Sequence, residues 1–197
     1  VNAYYNAEIS AGSLMPLESR RIAAFLLGRP DDKAWKQALV DDNLLQKKAP
    51  ATALRQAGLI RKRLKTLDDT GWDMIAHREK EVSIQLLLVA AAKHSQLLAD
   101  YIRDVYIGHQ RRLDLALSPL DWDGFLSECR HRDPSVAHWS AATQAKLFQV
   151  IRRILAEANY LENSGSMKLT PQSLHPDVRH YLSAHGDTAL IGLLERV

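Results

Sequence analysis

Apolar residues along this chain recur mostly at intervals of three and four, the period of an amphipathic helix. The spacing predicts a first helix from Pro16 to Leu27, opened by proline in its first turn and stopped by Gly28. Its buried stripe would be Ile22, Phe25 and Leu26. Asp31 is a good N-cap for a second helix carrying Trp35, Ala38 and Leu39 on one face. A polar connection, Asn43 to Ala49, leads to a third helix opening at Pro50. That helix would set Leu54, Ala57, Ile60, Leu64 and Leu67 on one side. A short fourth element centres on Trp72 and Ile75.

The most hydrophobic stretch runs from about Glu79 to Leu113. It predicts two central core helices, or one long helix bent near His94 and Ser95. Ser118-Pro119 is an N-cap followed by a first-turn proline, opening a helix that ends near Arg132. Ser140 caps a long helix reaching about Asn159. Residues 160–163 and 167–170 can then pair as a hairpin around Ser164-Gly165. A helix followed by a small hairpin is winged-helix-like, which would cover segment 140–185. Two short helices, Pro176 to His185 and Thr188 to Arg196, close the chain.

The expected fold is therefore all-α. An N-terminal helix-turn-helix-like unit, residues 1–76, would pack on a larger helical body, residues 77–197, with at most one small C-terminal β-hairpin. The longest apolar run, Leu86 to Ala92, falls far short of the ~20 residues a membrane span needs. Neither a signal peptide nor a membrane segment is visible at the start, although the missing initiator Met suggests trimming. The lone cysteine, Cys129, suits a reducing compartment, so a soluble, cytoplasmic monomer is expected.

Net charge is only +3, but its distribution is uneven. Between Asn43 and Leu67 there are seven basic residues and no acid: Lys47, Lys48, Arg55, Arg61, Lys62, Arg63 and Lys65. The rest carries 19 basic (26 less 7) against 23 acidic residues, a net of −4. On a helix Arg55 and Lys62 lie nearly on one line, Lys65 falls on the same side, and Arg61 and Arg63 flank the apolar stripe. A merely solvated helix usually mixes charge signs, because opposite charges three or four residues apart stabilise it. This helix repels itself, which a polyanion would relieve. Thr52 and Gln56 near its start have the chemistry to reach phosphates or base edges. A solvated basic face, or a face that docks on an acidic protein, explains the same pattern. The order of helices matches a helix-turn-helix, but the connection before Pro50 exceeds the usual turn of 3–4 residues.

A second basic patch comprises Lys146, Arg152 and Arg153 on the long Ser140 helix, with Lys168 in the hairpin. It would add phosphate contacts if the winged-helix reading holds; a solvated face is the plainer alternative. Tyr4 and Tyr5 would pack the N-terminal arm on the body or serve a partner. His131-Arg132-Asp133 spells the kinase catalytic-loop triplet, but the Gly-rich loop and DFG that kinases need are missing. Cys129 and His131 stand two apart and would point to different helix faces. No HExxH, P-loop or GxGxxG occurs, so the pattern points to no enzyme, metal or cofactor.

Several segments are familiar in their order: YYNAEISAGSLMPLESRRIAAFLL, NLLQKKAPATALRQAGLIRKRL, AAAKHSQLL and RILAEANYL. From Tyr4 to at least Tyr181 the chain resembles the BrxA family of BREX bacteriophage-defence systems. The resemblance implies a small helical component, without known enzymatic activity, that binds double-stranded DNA alongside other BREX subunits. A protein adaptor whose basic helix docks on an acidic subunit is the alternative.

Overall fold

The computed structural model describes residues 4–196, and they are all-α. Eleven α-helices follow in order: α1 Pro16–Leu27, α2 Asp32–Val40, α3 Pro50–Leu64, α4 Asp69–His77, α5 Lys80–His94 and α6 Gln96–Tyr101. They continue with α7 Ile107–Arg111, α8 Pro119–Arg132, α9 Ala141–Glu157, α10 Pro176–Ala184 and α11 Thr188–Leu194. A π-helical turn, Ile102–Tyr106, joins α6 to α7. Among the described residues no single helix is long and apolar enough to cross a membrane.

The described chain divides into two compact units, residues 14–94, and residues 95–196 together with the arm 4–13. The expected division near residue 76 is therefore displaced at both ends. The reason is packing. α5 lies against α4, α3 and α1, whereas the arm's 3-10 turn, Glu8–Ala11, lies against α9.

In the unit 14–94, Ile22, Ala23 and Leu26 of α1 meet Ile75 of α4 and the core face of α3 (Ala53, Ala57, Ile60 and Leu64). Every residue of α5 from Val82 to Ala92 is buried, which explains why its sequence is apolar around the whole helix. Side chains close the helix ends. Asp31 accepts from Ala34 N at 2.7 Å, and Asp68 accepts from Gly71 N at 2.9 Å. Trp72 Nε1 donates to the last-turn carbonyl of Leu64 at 2.7 Å, fixing α4 to the end of α3. Asp31→Ala should cost about 1 kcal/mol, read in urea unfolding as a lower midpoint at unchanged slope.

In the second unit, Ser95 ends the central apolar stretch where the sequence suggested a break. Its hydroxyl caps α6 by accepting from Leu98 N. Tyr101 packs edge-on to Phe125, and Trp122 of α8 stacks on Phe148 of α9 at 5.3 Å between ring centres. Tyr106 donates to the Tyr160 carbonyl at 2.6 Å, and Tyr160 donates to the Leu194 carbonyl at 2.5 Å. Tyr5 is buried and its hydroxyl donates to Asp100 at 2.6 Å, while Tyr4 remains half exposed. Ser118 and Asp121 form a reciprocal capping box at the start of α8.

The expected hairpin is present in minimal form. Leu161 pairs with Leu169, and Ala116 pairs with Lys168, as isolated antiparallel bridges. Four backbone hydrogen bonds knit these passes. Leu169 N donates to Leu115 O, Leu117 N to Met167 O, Glu162 N to Lys168 O, and Thr170 N to Tyr160 O, at 2.9–3.0 Å. The backbone of 115–117 thus lies beside 167–169, a pairing that local sequence does not reveal.

Candidate nucleic-acid interface

α3 begins at Pro50 after an extended Ala49, and no acid stands in its first turn. The connection 41–49 holds its shape through buried Leu45 and two left-handed residues, Asn43 and Gln46. Asn43 Oδ1 accepts from Lys47 N at 2.9 Å, four residues on, and asparagine tolerates the left-handed backbone at this position. The connection is longer than a standard helix-turn-helix turn, as its sequence indicated.

The seven cations of this region do not stay together. Lys48, Arg55, Lys62 and Lys65 are exposed. On the helix Arg55 and Lys62, two turns apart, share a line with Ala51 and Gly58 beside it. Lys47 is drawn to Glu18 of α1, with Nζ 2.5 Å from Oε1 and both side chains largely covered. Arg61 lies over the Trp35 ring at 4.6 Å and 3.6 Å from Asp32, so α2 occupies it. Arg63 is buried at 4% exposure and is not available to a phosphate, which corrects its place in the expected set. Gln56 turns Oε1 out of solvent, and Thr52 is half-buried, so neither presents a base-reading group fully to the outside. Leu54, expected in the core stripe, is instead 41% exposed on the cationic side.

Position on the helix explains part of this charge without any ligand. Arg61, Lys62 and Arg63 stand in the last turn, where cations complement the helix dipole. Arg55, at mid-helix, and Lys48, outside the helix, have no such explanation.

Burial pushes the Glu18 carboxyl up, but the hydrogen bond and charge of Lys47 outweigh it, and the net shift is downward. A carboxyl depressed on folding stabilises above its unfolded range and loses that contribution as pH falls through its folded value. Acidification should therefore loosen the Lys47–Glu18 tie. Glu18→Gln should remove this part of the acid sensitivity, measured as unfolding midpoint against pH.

The second patch is on α9. Lys146 and Arg153 are exposed. Arg152 is half-buried, stacked over Phe148 at 4.5 Å and donating to the Ser164 carbonyl at 3.1 Å. It holds the hairpin loop and is largely spent there. Lys168 is exposed, 3.9 Å from Glu162. Ala142, Ala145 and Gln149, which were not singled out from sequence, are exposed on the same side as Lys146 and Arg153. Their spacing of three and four residues was the available signal.

Cys129 is fully buried, and burial pushes its thiol up to about 11, whereas His131 is exposed. The two do not form a nucleophile and base.

The sequence profile of the BrxA family matches residues 3–186. This chain belongs to the BrxA family. A BREX protein BrxA from Paramagnetospirillum magneticum (strain ATCC 700264 / AMB-1) is 35% identical over 192 residues, covering 97% of this chain and 96% of that one. The BREX protein BrxA of Escherichia coli O9:H4 (strain HS) is 34% identical over 188 residues, 95% of this chain and 88% of its own. A crystal structure of an uncharacterized protein from Magnetospirillum magneticum superposes with a TM-score of 0.88 at 34% identity, over 98% and 99% of the two chains. BrxA membership makes this chain a component of a BREX phage-defence system.

Proposed function

We propose that this BrxA-family chain is a non-enzymatic, cytoplasmic subunit that binds double-stranded DNA through the outer face of α3. The observation that carries the reading is the exposed row Arg55–Lys62, continued by Lys65 and Lys48, on a segment with no acid from Asn43 to Leu67. Close-set phosphates suit such a row, because each one neutralised releases condensed counterions. Ala51 and Gly58 beside the row allow close approach of the backbone. The contacts are to phosphates and carry little sequence information. α1, α2 and α3 form a helix-turn-helix variant in this reading, with the long turn altering the docking angle.

A mobility-shift titration of the monomer with a short mixed-sequence duplex tests it. A retarded band at low salt that heparin removes is expected; an unshifted duplex at all protein concentrations would overturn the reading.

Exposed Leu54 within the cationic face favours a second reading, an adaptor that docks on an acidic BREX subunit. Co-purification from the full operon separates the two. Partner capture lost in Arg55→Glu/Lys62→Glu, with no DNA binding by the wild type, would favour the adaptor.

A further inference from the structure

Leu113, Leu115 and Leu120 stand close together in the chain and are left in water, at 86%, 84% and 78% exposure. Leu113 is the least expected of them. α7 ends in a Schellman turn, in which Leu113 N donates to Gln110 O and Asp114 N to His109 O, both at 3.0 Å. The residue after the cap of such a turn is left-handed, the position glycine usually fills. Leucine holds it here, with φ 60°. Met15 and Met167, the other apolar residues at positive φ among the described residues, are buried, so packing offsets their strain. Leu113 has no such compensation. It combines a strained backbone with an apolar side chain in water.

Leu113 and Leu115 line a cleft of about 320 Å³ together with half-buried Leu169 and Pro171, and Asp114 and Arg196 are among its polar lining. The cleft adjoins a strand edge. Leu115 O accepts from Leu169 N, and Leu117 N donates to Met167 O. In this antiparallel register Ala116, between them, turns its own N–H and C=O to the opposite edge. Among the described residues no further pass pairs with that edge. The surrounding charge is positive. Arg111 and Arg112, just before Leu113, and Arg196 are exposed. Asp114 is already engaged, with Oδ2 2.9 Å from both Arg112 Nε and His109 Nδ1.

We propose that this cleft and edge dock an extended, acidic segment of a partner protein that carries one large apolar side chain. The segment lies beside Ala116 as an added strand. Its apolar side chain fills the cleft against Leu113 and Leu115, and its carboxylates meet Arg111 and Arg196. Main-chain hydrogen bonds supply affinity in such strand addition, and the pocket supplies selectivity. Exposed leucines gain nothing against a phosphate backbone, so this face suits a protein and not a nucleic acid. A second copy packed on the same face would set three arginines against three arginines. The site is independent of DNA binding by α3, since all its residues belong to the other unit.

Overlapping labelled peptides tiling the other proteins of the same BREX operon are the probes, and fluorescence polarisation with the full chain reads their binding. Wild type should capture a peptide with an apolar residue flanked by acids, and amide replacement of those acids should weaken it. Leu113→Gly gives the decisive pair of readouts. It should lower affinity for that peptide about tenfold or more, yet raise the thermal unfolding midpoint, because glycine relaxes the turn. A merely structural leucine would not move the two in opposite senses. Leu115→Asp and Arg196→Glu should weaken binding too, whereas Leu120→Ala, outside the cleft lining, should bind as wild type does. A wild type that captures no tiled peptide overturns the proposal, as does unchanged binding in Leu113→Gly and Leu115→Asp. Self-association of wild type that Leu113→Gly abolishes would assign the leucines to a second copy and overturn it as well. The α3 reading stands or falls separately, on duplex binding.

Discussion

Arg55→Glu combined with Lys62→Glu should lower affinity for duplex DNA about a hundredfold near 0.1 M salt. At that salt each phosphate contact contributes roughly eightfold through counterion release, so losing two costs about sixtyfold, and the introduced negative charges repel the backbone further. Both residues are exposed and neither forms part of the buried face of α3, so the helix should fold as before. Lys62→Glu alone also opposes the helix dipole, at a cost of about 0.5 kcal/mol in stability. Fluorescence anisotropy with a labelled duplex measures the affinity, and thermal unfolding separates the stability effect. Arg63→Ala should behave in the opposite sense. Arg63 is buried, so its loss should lower stability and leave affinity for DNA near the wild-type value.

Asp100→Ala should destabilise the second unit by about 3 kcal/mol. Asp100 is fully buried, and four groups converge on it. Tyr5 donates to it at 2.6 Å, Gln96 Nε2 at 2.7 Å, and the guanidiniums of Arg103 and Arg132 lie at 2.7 and 3.5 Å. Removing the carboxylate leaves the buried Tyr5 hydroxyl without its main acceptor and leaves Arg103 and Arg132 with only Asp104 of the two carboxylates they share. The start of the arm then keeps Tyr5 N on Asp133, at 2.9 Å, while its 3-10 turn stays packed on α9 through buried Ile9. A loss of that size corresponds to a fall of roughly 6–12 °C in the melting midpoint for a chain of this length. Calorimetry measures it, and protease cleavage near the arm should accelerate. An unchanged midpoint would show that the network contributes little. Asp104 is lowered on balance: burial raises it, and hydrogen bonds from Arg103 and Arg132 more than offset that rise. The same network should therefore weaken as pH falls through the Asp104 range.

Much of the helical layout was legible because local signals carry it. Pro16 to Leu27 was bounded by its proline and glycine, and Ser118-Pro119 and Ser140 marked their helix starts as caps do. The break at Ser95 followed from the same chemistry. What failed depended on neighbours distant in sequence. The angular position of Arg63 on an isolated helix says only that it flanks the stripe. Helices α1, α2 and α5 all pack on α3, so more of its circumference is covered than a single stripe implies. Leu54 went the other way and stayed outside the covered arc. Lys47 and Arg61 were counted as free charge, because their partners, Glu18 on α1 and Asp32 at the start of α2, lie 29 residues back in each case. The hairpin was found from turn residues, but its third pass, 115–117, belongs to a segment some 50 residues earlier, and no local pattern marks it. The division between units was misplaced for the same reason. The arm and α5 each take their packing partners from far along the chain.

The salt dependence of duplex binding by the wild-type chain tests the central claim most directly. Four exposed cations on and before α3 predict that log K falls with log salt at a slope of about −3.6, steeper if α9 engages as well. The Arg55→Glu/Lys62→Glu variant should lose about two units of that slope. A flat dependence for wild type, or the same slope in the variant, would contradict the assignment of α3 as a DNA-binding surface.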